Sequence, residues 1–284
     1  MIPVPPRHRG RELLDDPAVV AASPREVAAS FAEIRRLNRL AGGTRAVRRA
    51  LQPLLPAGEA RVLDVGTGTA DTPLALLAWA ARVGRPLHLT GLDISPTLLT
   101  EARRLVGNAP VTLVEGDARS LPWPDGAFDV AVSLGVLHHF SEAEASGVLR
   151  EMARVSRRGI VVVDLRRSYP MYWLARIALR LLTRNRFTRN DGVLSVLRAY
   201  TPEELAMLAR DAGLQAVSVR TVLPGLVTLT AGSEARRQTL PPDPRALSRS
   251  PRTRTTKGGG DGPGPDLSTL VSAYTRTRAA CWQR

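Results

Sequence analysis

The residues whose types and spacing suggest chemistry gather in one stretch, Arg61 to Asp71, which reads RVLDVGTGTAD. Val62, Leu63 and Val65 form a short apolar run of the kind that makes a strand buried on both faces. The run stops at Gly66-Thr67-Gly68-Thr69-Ala70-Asp71, and an Ala- and Leu-rich segment, Thr72 to Val83, follows with a helical pattern. Glycines let a backbone turn tightly and come close to a ligand. A helix N-terminus offers unpaired N–H groups. Strand, glycine loop and helix together make the geometry of a nucleotide site.

The neighbouring residues narrow the ligand. A dinucleotide fingerprint wants a third glycine and an acid roughly 20 residues further on. Here Asp71 stands at the third glycine position and would set a negative charge against a pyrophosphate, and the next strand-end acid, Asp93, lies 27 residues after Gly66. A phosphate-binding loop of the GKS/T type needs a lysine, and the single lysine is Lys257. What is left is a nucleoside without phosphate, carrying a cationic, amino-acid-like tail that nearby carboxylates suit.

Several motifs in order resemble the class I S-adenosylmethionine-dependent methyltransferases over roughly residues 60–232. LDVGTGTAD is similar to the family's first motif, with Ala70 where a third glycine often stands, an exchange that still permits a close backbone. LDIS is similar to the second, and EGDARSLPWPDGAFDVAVS to the third and fourth. The resemblance implies S-adenosyl-L-methionine as cofactor and no metal. It implies that Asp64, Gly66 and Gly68 hold the methionine part, with Thr67 and Asp71 also among the cofactor-binding residues. Asp93, with Ile94 beside it, would take the ribose hydroxyls, as a carboxylate can from a vicinal diol. Asp117 would accept from the adenine amino group, Ala118 would offer its backbone N–H, and Ser133 would border the cofactor.

The end of the fourth predicted strand speaks to the acceptor. Methyltransferases acting on exocyclic amines of nucleobases carry an Asn/Asp-Pro-Pro-aromatic tetrapeptide there, and this chain has Ser133-Leu134-Gly135-Val136-Leu137-His138-His139-Phe140 instead. It looks like the small-molecule branch, which includes the ubiquinone and menaquinone C-methyltransferases and many O-methyltransferases. Transfer to a phenol or enol needs a proton removed, and a histidine is suited to that at neutral pH. Adjacent histidines project differently, so at most one of His138 and His139 serves as the catalytic base. The sulfonium is an activated donor, so alignment alone can dominate.

The fold class expected is α/β: a Rossmann-like sheet of seven strands, mostly parallel, ending in an antiparallel hairpin, with helices on both faces. Residues 1–23 are expected to be extended or disordered. Residues 24–58 read as a helical lead or lid, with Ser23 as N-cap, Pro24 at the first helical position, and Asn38 and Arg39 near the site mouth. Residues 59–232 form the methyltransferase domain. Within it, residues 166–200 are an insertion expected to build the acceptor pocket, with Trp173 and Tyr200 as pocket residues. Trp173, Ile177 and Leu181 recur four apart beside a stripe of Arg176, Arg180 and Arg184, a pattern for a lipophilic substrate, a peripheral membrane contact, or packing on the domain itself. Asn185 to Gly192 reads as a polar loop. Thr201, Pro202 and Glu204 make a capping box for the next helix.

Charge and composition bound the rest. The net charge is +14, of which +6 falls in residues 233–284, a Pro-, Arg- and Gly-rich tail expected to be disordered. Thirty-nine arginines against one lysine indicate a surface that uses arginine throughout, so nucleic acid is not the favoured partner. Cys281 is the only cysteine, which excludes an intrachain disulfide and a cysteine-cluster metal site. MIPVPPRHRGREL lacks an apolar run, so no secretory signal is expected and a cytoplasmic location follows. The function expected is methyl transfer to an O or C atom of a small aromatic or lipophilic acceptor. The alternatives are an RNA- or ribosome-associated methyltransferase and a non-catalytic cofactor-binding scaffold.

Overall fold

A computed structural model describes residues 3–222 and 225–232. Strands β1 (Ala60–Val65), β2 (Leu87–Asp93), β3 (Val111–Glu115), β4 (Phe128–Leu134) and β5 (Ser156–Leu165) run parallel, and β6 (Gln215–Val222) and β7 (Leu226–Gly232) complete one seven-stranded sheet in the order β3-β2-β1-β4-β5-β7-β6. β7 pairs antiparallel with both β5 and β6. The order reverses at β1, with β2 on one side and β4 on the other. In sheets of this type the ligand crevice lies at that reversal, beyond the C-terminal ends of the strands.

Alternation along β1 gives each face its core. Leu63 and Val65 pack on one side with Leu149 and Met152 of α6 (Glu142–Arg154) and Leu205 of α9 (Pro202–Asp211). Val62 packs on the other with Val47 and Leu51 of α3 (Gly43–Leu51) and Leu76 and Trp79 of α4 (Asp71–Arg82). Both faces are therefore covered, which is why the strand read as a continuous apolar run. The expected capping at Thr201 is present: its side chain accepts from the Glu204 N–H, and the Glu204 carboxylate accepts from the Thr201 N–H.

Three local expectations change. First, residues 3–16, expected to be extended or disordered, form a strap bound to the domain. The Arg7 guanidinium donates to the carbonyls of Arg198 and Phe140 and lies 4.0 Å over the Tyr200 ring. His8 N–H donates to the Leu197 carbonyl, and Leu13 and Leu14 N–H donate to the buried Asp191 carboxylate. The buried Arg167 binds the Pro5 carbonyl, the Ala199 carbonyl and Glu204 together. Such anchoring uses hydrogen bonds to backbone and has no apolar period to betray it.

Second, a short helix α1 (Pro17–Ala22), capped by Asp16, precedes α2 (Pro24–Ala41). Ser23 stands at the N-cap position of α2 but makes no capping bond; its hydroxyl accepts from Arg186. Third, Asn185 to Gly192 is not a loop. α7 (Tyr169–Leu182) is followed by α8 (Arg186–Arg198), started by Asn185, whose side chain accepts from the N–H groups of Phe187 and Thr188. α8 buries Phe187 on one side and hydrogen-bonds through Thr188 and Asp191 on others, so it has almost no apolar stripe to read. The 233–284 tail expectation lies outside the described residues.

Gly159 has φ +142°, and a Cβ there would collide with the carbonyl oxygen of Ala231 on β7. Gly159→Ala is expected to destabilise the domain by about 2 kcal/mol or more. The check is a lower urea midpoint at unchanged slope.

Candidate functional site

The loop after β1 turns through three left-handed residues, Gly66 (φ +71°), Gly68 (+53°) and Ala70 (+62°). A Cβ on Gly66 would lie 2.5 Å from Val136, and one on Gly68 would meet nothing within 4 Å, so the loop's surface is open there. Ala70 is not the neutral exchange expected from its size. An L-residue in this region costs about 1 kcal/mol. Its fully buried methyl, packed with Ala102 and Val106, offsets part of that. Ala70 occupies the N-cap position of α4 without a side-chain capping bond, so the helix start is left to other partners.

Three carboxylates converge on this loop. Asp93, at the end of β2, accepts from Gly68 N–H at 2.7 Å and Ser95 N–H at 2.9 Å. Asp71 accepts from the Thr69 hydroxyl at 2.8 Å. Asp64 is fully enclosed; Oδ2 accepts from the Thr67 hydroxyl at 2.8 Å, and Oδ1 is buried with no partner. Burial raises the pKa of all three. For Asp93 the N–H groups partly oppose it, and for Asp71 the Thr69 hydroxyl and the nearby Arg35 and Arg39 do. For Asp64, burial together with the charges of Asp93 and Asp71 outweighs the Thr67 hydrogen bond and pushes the carboxyl up to about 7. An orphaned buried oxygen in an over-acidic pocket fits a cationic ligand group, as the amino-acid tail of S-adenosylmethionine would provide.

The other residues expected to meet the cofactor have different surroundings. Ile94 is exposed beside Asp93 and Ala118 is buried. The Asp117 carboxylate is held below its usual range by Arg119, which also binds Glu144. Ser133 is buried, and its hydroxyl is committed to the Val65 carbonyl at 2.9 Å, tying β4 to β1. Arg35 and Arg39 of α2 act on Asp71 through their charge, and Asn38 is exposed.

His138 and His139 lie in a 3-10 turn, Leu137–His139, and have different surroundings. His138 is buried. Its Nδ1 is 2.6 Å from Asp164 Oδ1, and its Nε2 lies 3.7 Å from Glu12 Oε1 of the N-terminal strap. His139 keeps a side chain 32% exposed, with Nδ1 3.2 Å from Asp15 Oδ1. Burial works against charge on His139, but Asp15 and Glu12 raise its pKa; the same contact and Arg198 overcome burial at Asp15 and bring it down to about 2. Burial would also raise Asp164, yet His138 and two N–H groups hold it low.

Glu12, Asp15, Asp164 and Arg198 were not legible as site residues, because each is far from the histidines in sequence. Of the two expected pocket residues, Tyr200 is in the core with its hydroxyl donating to the Phe140 carbonyl at 2.8 Å, and Trp173 is 53% exposed on α7.

Fold and loop together define a nucleoside-binding domain with an acidic cradle. Residues 62–159 match the family model of a methyltransferase domain. Over 216 residues the chain is 31% identical to a demethylmenaquinone methyltransferase of Clavibacter sepedonicus, covering 71% of this chain and 83% of that one. It is 38% identical to 2-methyl-6-phytyl-1,4-hydroquinone methyltransferase 2, chloroplastic, of Oryza sativa subsp. japonica, over 45% of this chain; the match spans only 35% of that relative's length. A crystal structure of a SAM-dependent methyltransferase from Aquifex aeolicus shares the fold, with TM-score 0.51 and 19% identity over 72% of this chain and 97% of that one. The chain belongs to the class I S-adenosylmethionine-dependent methyltransferases.

Asp64 sets a pH dependence. Its folded pKa, about 7, lies above the unfolded 3.8, so its contribution to stability is full at low pH and is lost as pH rises through 7. A cationic ligand binds the ionised form. S-adenosylmethionine affinity measured by calorimetry should therefore rise by up to tenfold per pH unit below about 7 and level off above it. Asp64→Asn should bind more weakly and with a flat profile.

Proposed function

We propose that the protein transfers a methyl group from S-adenosylmethionine to an O or C atom of a small lipophilic aromatic acceptor of the hydroquinone type. The observation that carries this reading is the acidic cradle around an open glycine loop, with its orphaned Asp64 oxygen. The quinone-pathway names of its relatives direct the choice of acceptor.

The cofactor, when bound, supplies a methyl group activated by its sulfonium. Asp64 and Asp71 would hold the ammonium end, Asp93 the ribose hydroxyls and Asp117 the adenine edge, with Ile94 against the ring. The acceptor atom takes the methyl group as the methyl–sulfur bond breaks and that electron pair stays on sulfur. One of His138 and His139 at most would take the acceptor's proton. Alignment supplies most of the acceleration.

α7 supports a lipid-side route for such an acceptor. Its inward face buries Ala175 and Leu179, while Trp173, Leu174, Ile177, Leu181 and Leu182 are exposed, along with Arg176, Arg180 and Arg184. The apolar stripe therefore does not pack on the domain. An apolar face rimmed by arginine suits an anionic membrane surface. Among the described residues no helix is long and apolar enough to cross a membrane.

Asp93→Ala should weaken S-adenosylmethionine binding roughly 100-fold, since two charge-assisted hydrogen bonds would be lost. Unchanged affinity in calorimetry would remove the cofactor assignment. Turnover of a labelled methyl group onto a hydroquinone panel tests the acceptor, and salt-dependent RNA binding by the protein would favour the nucleic-acid alternative instead. Vesicles containing phosphatidylserine should shift Trp173 emission and sediment the protein. Ile177→Glu with Leu181→Glu should abolish both effects; persistence of binding in that variant would show that α7 is not the contact.

A further inference from the structure

Glu12, His138 and His139 come together from segments more than 120 residues apart. One ligand atom from each lies within 4.8 Å of the others. The closest separation recorded between Glu12 and His138, Oε1 to Nε2, is 3.7 Å. Ligands around a tetrahedral ion at about 2.1 Å stand about 3.4 Å apart, so the three groups are near the spacing that such an ion needs.

The surroundings are those of ligating imidazoles. His138 Nδ1 is engaged by Asp164, leaving Nε2 toward Glu12, and His139 Nδ1 is close to Asp15. A carboxylate on the far nitrogen fixes the tautomer and makes the other nitrogen a better ligand. Ser195 Oγ, 2.8 Å from Glu12 Oε1, helps to hold the carboxylate. Three carboxylates, Glu12, Asp15 and Asp164, lie against the two imidazoles, with Arg198 bound to Asp15. A divalent cation suits such an acid-rich, largely buried cluster.

We infer that Glu12, His138 and His139 form a binding site for a divalent transition-metal ion that joins the N-terminal strap to the loop after β4. Two imidazoles and one carboxylate suit zinc, cobalt or nickel. The absence of a cysteine cluster does not bear on a site of this composition. Three protein ligands leave at least one coordination position for water or an acceptor oxygen, and the acceptor part of this statement rests on the methyl-transfer reading above.

The experiment uses the full chain, stripped with chelator, without cofactor or acceptor. Cobalt(II) is titrated while visible d–d absorption is followed, and zinc(II) is titrated in competition. The expected result is saturable one-to-one binding with absorption typical of low coordination number, and slower proteolysis within residues 3–16 when metal is present. Glu12→Gln and the partly exposed His139→Gln should each weaken binding at least about tenfold. His88→Gln, which alters the exposed His88–Glu59 pair, should leave it unchanged. No saturable binding would overturn the site. Equal binding in Glu12→Gln and the wild type, or loss in His88→Gln alone, would also overturn it. A protein that binds cobalt but not S-adenosylmethionine would refute the methyl-transfer reading and leave the metal site standing.

Discussion

The turn out of β1 constrains everything near it. Three left-handed positions in five residues reverse the chain tightly enough that Gly66 and Thr67 N–H both reach the Leu92 carbonyl on β2. The same turn brings Gly68 N–H to Asp93 and the Thr67 hydroxyl to Asp64. Three carboxylates are thereby gathered at the one point where the sheet order reverses. Two of those positions are glycine, where the conformation is free of steric cost; at Ala70 the packing of a buried methyl offsets it.

Crowding acids in this way opposes folding. Each is raised by burial, and Asp64 has an oxygen without a partner. The remainder of the domain must supply the offsetting stability, and the two apolar layers on either face of the sheet do so. A site that is costly when empty and relieved by a cation is a physical preference for one charge of ligand, arising before any contact with a particular ligand is considered.

A second acidic region is built differently. Around His138 and His139 the acids come from the strap and from β5, and Arg198 of α8 binds backbone carbonyls and Asp15 beneath them. Arg167 and Arg7 hold the same strap through carbonyl oxygens. The arginine-rich composition is therefore not a uniformly solvated surface. Several arginines are interior fasteners, which their planar, multiply donating head group allows.

The amino-acid order by itself determined the sheet and the loop. Apolar runs of strand length, turn residues between them and the Gly66 to Asp71 segment are local signals, and local signals survive being read one segment at a time. It also determined the capping at Thr201, since a capping box needs only residues three apart. Tertiary structure alone decided which acids meet which histidines, because Glu12 and Asp164 reach His138 from separate elements on either side of it in the chain. It decided that Tyr200 turns inward and that α7 turns its apolar stripe outward, since a periodic stripe states that a helix has two faces without stating which one the domain covers. It also decided that residues 3–16 are held, because hydrogen bonds from arginine and aspartate to distant backbone leave no periodic mark in the segment they anchor.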